Sequence, residues 1–208
     1  MSRSVTIQWD KRYALRMKAQ KIVEFVFNER KATQAAALLI RKSGGAISLL
    51  SLMKLLYLAD RRAIIETGHS ITGDRLFSMP HGPVPSKVYN LASSNTRVIF
   101  GSSPWAESFR RTGNSVTLLA DPGCDELSKY DHTVLGSIYA EFGHLSPWAL
   151  RGLTHKLPEY RDPNGSSIRI DPVEILKLAG IDASEIEAIV AEADDALRIR
   201  KVLDFVQR

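Results

Sequence analysis

Five histidines, at 69, 81, 132, 144 and 155, and the carboxylate of Asp74 are the side chains best suited here to hold a divalent cation or relay a proton. A zinc site needs three or four ligands at spacings the backbone can bring together, such as two histidines one helical turn apart. No two of the five stand at i, i+4. Asp74 and His81 could face one another across a turn, but nothing in the spacing supplies a third ligand. Neither a metal nor any other cofactor is expected. Cys124 is the single cysteine, which excludes an internal disulfide and a thiolate-rich site and suits a reducing, cytoplasmic setting. Ser78 and Ser86 have no neighbouring base to activate them, and no P-loop, nucleophile-elbow or dinucleotide-binding glycine pattern is present. The chain is therefore expected not to be an enzyme.

The residues that do stand out are built for shape. Gly73-Asp74-Arg75 and Met79-Pro80-His81-Gly82-Pro83-Val84-Pro85 lie close together. Glycine reaches backbone angles other residues avoid, and each proline fixes one torsion and removes a donor. A turn this dense holds one form, either to orient its neighbours or to present a surface. Asp74 is expected to serve the turn, by accepting its N–H groups or by pairing with an arginine such as Arg61. Arg75, His81, Lys87 and Tyr89, on or beside the turn, are the candidate partner contacts, because arginine and tyrosine are frequent interface anchors. Tyr57 and Trp148 read as core aromatics, and His155 as a hydrogen-bonding residue near the end of its helix.

These residues need elements to carry them. Lys11 to Asn28 reads as a basic amphipathic helix with Leu15, Ala19, Ile22 and Val26 on one stripe. Thr33 can cap a second helix, Gln34 to Lys42, that stops at Gly44-Gly45. Ser48 opens a third, to about Thr67, apolar on nearly every side except a strip of Ser51, Lys54 and Arg61; a helix so apolar belongs at the centre. Arg75 to Met79 suits a short strand, and Pro85 the first turn of a helix to about Ala92. Ser108 to Leu119 reads as a hairpin around Thr112-Gly113-Asn114, with a further strand near Arg97 to Phe100. Helices follow from Ser128 to Gly143, from Pro147 towards Pro158, from Pro172 to Gly180 and from Asp182 to Gln207. The last carries a stripe of Ile186, Ile189, Val190, Ala193 and Leu197 that must cover something.

Two blocks also resemble a known family. Lys54-Leu-Leu-Tyr57-Leu-Ala-Asp60, then Thr72-Gly73-Asp74-Arg75, then Met79-Pro80-His81-Gly82-Pro83-Val84-Pro85-Ser86, is similar to the signature of the Panacea, or SocA-like antitoxin, domain. Phe142-Gly143-His144-Leu145-Ser146-Pro147-Trp148 with Leu153-Thr154-His155 resembles that family's closing block. The resemblance runs from roughly Ala32 to Tyr160, with Phe142 and His81 as departures from the usual aromatics. It implies a single mainly α domain with a small antiparallel β-sheet, an α+β arrangement. Residues 1–31 would then be a basic accessory helix, 32–160 the domain and 161–208 a helical extension packed on it. It further implies a bacterial or phage antitoxin that binds a cognate toxin protein, by direct masking or as an adaptor handing the toxin to a protease. Lys54, Tyr57, Asp60, Gly73, Asp74, Met79, Pro80, Gly82, Pro83, Val84, Trp148 and His155 are the positions that carry the resemblance and would hold the fold.

Composition leaves one competing reading. At 208 residues, 44% hydrophobic and 25% charged, the chain suits one globular domain. No apolar run is long enough to span a bilayer and no secretory leader is visible, so neither membrane nor export is expected. The first 62 residues hold thirteen Lys/Arg against four Asp/Glu, and the rest fifteen against nineteen. That polarity could attract nucleic acid, as in a DNA-binding transcriptional regulator, or an acidic partner, or it could mean that the two regions face each other. Against the regulator, the helix after Gly44-Gly45 is apolar where a recognition helix needs polar side chains.

Overall fold

The computed structural model describes residues 22–93 and 103–206, which form eight helices and two three-stranded antiparallel sheets. The fold is mainly α with small sheets. Helix α1 spans Glu29–Lys42. Its cap is Asn28, whose side chain accepts the Lys31 N–H at 3.0 Å, so it starts a turn earlier than Thr33 would have set it. Thr33 instead lies buried within it and donates its hydroxyl to the Glu29 carbonyl. Strand β1, Ala46–Ser48, leads directly into helix α2, Leu49–Thr67.

Helix α2 is the axis of the molecule. Ser48 caps it by accepting the Ser51 N–H at 3.0 Å, and Gly68 closes it at φ 75°. Every residue from Ser51 to Asp60 is buried. Its Leu52, Leu55 and Leu56 enter one apolar cluster, while Tyr57 and Ile64 enter a second on the other side. Burying a leucine fully is worth about 1.5–3 kcal/mol, so this helix alone contributes a large share of the core. The strip expected to be polar is not a solvent face: Lys54 is fully buried and Ser51 nearly so. Burial on all sides comes from the neighbours of α2: α1, α5 (Lys129–Phe142), α6 (Pro147–Thr154) and α7 (Pro172–Leu178) all pack on it.

Strands β2 (Leu76–Ser78) and β3 (Val84–Pro85) flank the Pro-rich turn, with Leu76 opposite Pro85. Pro85 therefore ends a strand, and helix α3 (Ser86–Ser93) begins one residue later. The third strand of this sheet, β6 (Ile168–Ile170), places Ile170 opposite Leu76. Beyond Ser103, the short helix α4 (Pro104–Ser108) precedes the expected hairpin of β4 (Phe109–Thr112) and β5 (Ser115–Leu118). β5 pairs with β1, Val116 opposite Ile47. The strand expected near Arg97 to Phe100 lies outside the described residues. Helix α5 carries a full capping box between Ser128 and Asp131.

The helix expected over Lys11 to Asn28 does not form over its described part, residues 22–28. That segment runs without regular structure across the loop after α2, with the Asn28 N–H donating to the Thr72 carbonyl at 3.3 Å. Val23 is buried and Ile22 exposed, the reverse of the expected stripe. At the other end, helix α8 (Ala183–Val206) buries Ile186 and Ala193. Ile189 packs so close to Gly68 that a Cβ there would lie 2.6 Å from its side chain. Its last turns leave Ile199, Val202, Leu203, Phe205 and Val206 exposed.

Candidate partner-binding site

Two buried carboxylates hold the loop that carries the Pro-rich turn. Asp60, at the middle of α2, accepts the Ser70 hydroxyl at 2.8 Å, the Thr72 N–H at 2.9 Å and the Thr72 hydroxyl at 2.5 Å. Burial pushes its carboxyl up to about 6, against the pull of those donors. Asp74 accepts the N–H groups of Arg75 (2.6 Å), Lys87 (3.0 Å) and Val88 (2.8 Å). The last two open α3, so Asp74 is the distant N-cap that ties that helix back onto the loop. Burial also raises its pKa above the ordinary aspartate value. Between these carboxylates Gly73 takes φ 68°, and a Cβ there would lie 2.0 Å from the Val26 carbonyl oxygen. Only glycine lets the 22–28 segment cross so closely. Arg61 does not pair with Asp74. It pairs with the fully buried Glu159 side chain at 2.7 Å, which also accepts the Tyr57 hydroxyl at 2.6 Å.

The Pro-rich turn closes through the Gly82 N–H, which donates to the Met79 carbonyl at 2.8 Å. Gly82 has φ 90°, and a Cβ on it would meet Thr154 Oγ1, the His155 ring and Lys54 Nζ, each within 3.0 Å. The turn thus lies flat on α2 and the end of α6. Lys54 Nζ donates to the Pro83 carbonyl at 2.8 Å. Desolvation, helped by the nearby Arg151, brings its pKa down to about 7.

Above this contact opens a cleft of about 510 Å³. Five elements bound it: the start of α2 (Leu49, Leu50), the Met79–Gly82 turn, α3 (Tyr89), the β4–β5 hairpin (Arg111, Asn114) and the start of α6 (Pro147, Trp148). Trp148 is 65% exposed and packs edge-on to the exposed His81 ring, with centroids 6.0 Å apart. A large aromatic in that position is not core, contrary to expectation. Pro147 at the first turn of α6 aims it outwards over the cleft mouth while Leu150 turns inwards.

The four proposed contacts divide into two pairs. His81 and Tyr89 line the cleft. Arg75 and Lys87 lie on the side crossed by residues 22–28, where Arg75 pairs with Glu24 at 3.2 Å and Lys87 sits over the Phe27 ring at 4.6 Å. His155 stacks on Tyr160 at 4.2 Å, and its Nε2 is buried with no hydrogen-bond partner among the described residues. Burial and the Arg151 and Lys54 charges depress its pKa. Sequence reasoning missed Leu49, Lys54, Arg111 and Pro147 as cleft residues; no local pattern joins a helix start to a distant hairpin tip. No cluster of three or more His, Cys, Asp or Glu side chains able to hold a metal occurs among the described residues. Nor is any described helix long and apolar enough to cross a membrane.

A family model described as "Antitoxin SocA-like, Panacea domain" matches residues 52–160, just over half of the chain. The chain belongs to this SocA-like antitoxin family. The Panacea match begins inside α2, later than the expected start near residue 32, and ends at Tyr160. It takes in both buried carboxylates, the Pro-rich turn, the hairpin and Trp148, while α1, α7 and α8 lie outside it. No curated protein and no solved structure matches the chain.

Proposed function

We propose that this Panacea protein is an antitoxin that silences a cognate toxin by direct binding through the face formed by the Pro-rich turn and the start of α6. The observation that supports this reading is the exposed Trp148–His81 pair over an apolar cleft. An exposed tryptophan costs solvation unless a partner covers it, and tryptophan is enriched among binding hot spots. Everything beneath is held rigidly by Asp60, Asp74 and the Lys54–Pro83 contact, so the surface meets a partner already ordered, which limits the entropy lost on binding.

The regulator reading has less behind it. Helix α2 would be the recognition helix, yet it is buried from Ser51 to Asp60. Five of the seven Lys and Arg residues in the described part of the first 62 residues form ion pairs within the chain. Arg30 pairs with Asp125, Lys31 with Asp131, Arg41 with Asp121, Arg61 with Glu159 and Arg62 with Glu141.

The test is co-expression of the full chain with the product of a toxic reading frame beside its gene. The proposal expects restored growth and a stoichiometric complex on size exclusion. Growth restored through repression of the toxin transcript, with no complex between the purified proteins, would refute it.

A further inference from the structure

Charge around the cleft differs from charge on the rest of the described surface. Nine of the twelve described arginines have a carboxylate oxygen within 4.0 Å. The other three, Arg110, Arg111 and Arg151, have none among the described residues. Arg111 lines the cleft, its Nε donating to the Gly113 carbonyl at 2.8 Å. Arg151 donates to the carbonyl of Pro80 on the rim at 3.3 Å, and its Nε is buried without a partner among the described residues. No aspartate or glutamate lines the cleft among the described residues. Lys54, in its floor, meets the Pro83 carbonyl and has no carboxylate within 4.0 Å among the described residues.

Physical chemistry narrows the occupant. Low-dielectric walls concentrate the field of unneutralised cations, so a basic or purely apolar insert is disfavoured. The first is repelled, and the second strips water from charges without replacing it. Nucleic acid brings anions and bases that stack on aromatics, but it is held by a groove of cations that tracks its backbone. Here, among the described residues, only Arg111 and Arg151 flank the cleft. An apolar group with a carboxylate beside it satisfies both demands.

We propose that the cleft receives an acidic-apolar segment of the partner toxin. One bulky apolar side chain seats between Leu49, Met79 and Trp148, and a neighbouring Asp or Glu faces Arg111 and Arg151. This rests on the antitoxin reading above and adds to it the chemistry of the segment the toxin presents.

The experiment pairs the full chain with the toxic product of the adjacent reading frame. Growth rescue, calorimetric affinity and a thermal melt are measured for wild type, Trp148→Ala, Arg111→Glu and, as a charge control away from the cleft, Lys129→Glu. Trp148→Ala should weaken binding about 30-fold and Arg111→Glu about tenfold with melting unchanged, while Lys129→Glu stays within about twofold. An acidic-to-arginine change in the toxin should restore binding to Arg111→Glu. If wild type neutralises and both cleft variants bind as it does, the cleft assignment is overturned while the antitoxin reading stands, and the exposed end of α8 becomes the surface to test. If wild type fails to bind the adjacent product, the reading and this inference fall together. If light scattering finds a wild-type dimer that Trp148→Ala dissociates, the occupant is a second copy of this chain and the assignment is overturned.

Discussion

Replacing Lys54 with methionine should make the protein more stable, and by an amount that depends on pH. Lys54 is fully buried, and among the described residues its ammonium group has one hydrogen-bond acceptor, the Pro83 carbonyl. Its pKa falls from 10.5 in the free side chain to about 7 in the fold. Below pH 7 both the folded and unfolded chains carry the proton, and the buried charge then costs about 5 kcal/mol, from 1.36 kcal/mol per unit of displacement. Between pH 7 and 10.5 the unfolded chain binds a proton that the folded one has released. Stability therefore rises with pH across that window, the sign for a cation whose folded pKa is depressed. Lys54→Met removes the charge at similar length but orphans the Pro83 carbonyl, at a cost of about 1–3 kcal/mol. The variant should thus be about 2–4 kcal/mol more stable than wild type at pH 6. That advantage should shrink by about 3 kcal/mol by pH 9, because wild type gains stability with pH and the variant lacks this gain. Urea denaturation of both proteins at pH 6, 7, 8 and 9 measures the difference, and titrations common to the two cancel. A variant less stable than wild type at pH 6, or a difference that stays flat from pH 7 to 9, would refute the reasoning.

Asp74→Asn should cost about 2 kcal/mol, since an amide presents one acceptor and unwanted donors to three backbone N–H groups; hydrogen exchange at Lys87 and Val88 should rise with it. Gly73→Ala combines a positive φ with a Cβ 2.0 Å from the Val26 carbonyl oxygen, so it should lift residues 22–28, read as faster proteolysis there and a lower melting temperature. Leu56→Ala should lose about 2–5 kcal/mol through a core cavity and lose neutralisation only as the protein unfolds, unlike Trp148→Ala, which should fold normally.

Local chemistry made much of this fold legible. Ser48 and Gly68 bound α2, the Ser128 box opens α5, and Asp171-Pro172 opens α7, each an effect complete within a few residues. What escaped is decided at long range. Strands β1 and β6 are three residues each, and pairing with distant partners rather than composition makes them strands. The helical periodicity seen over Lys11 to Asn28 yields, in residues 22–28, to backbone contact with the Thr72–Gly73 loop. Lys54 looked solvated because its strip is polar in sequence. Its burial follows from the turn that Gly82 lets settle over it. For the site, sequence located the Pro-rich turn and the role of Asp74 but placed Trp148 inside. Outward or inward aim at a helix start depends on what packs against it, and the sequence at that point does not say.

The ion pairs that join early and late parts of the chain bear on when the molecule becomes functional. A ribosome that has made α1 and α2 has produced Arg30, Lys31, Arg41, Arg61 and Arg62, but not Asp125, Asp131, Asp121, Glu159 or Glu141. The central helix α2 is likewise synthesised well before α5 and α6, which cover it. The packing of α5, α6 and α7 on α2 forms only once those later helices exist, so the nascent chain has little reason to settle before synthesis is nearly over. An antitoxin built this way would offer its toxin no partial protection from a truncated product. Interrupted translation would leave that apolar helix uncovered, because α5 and α6 follow it in the chain.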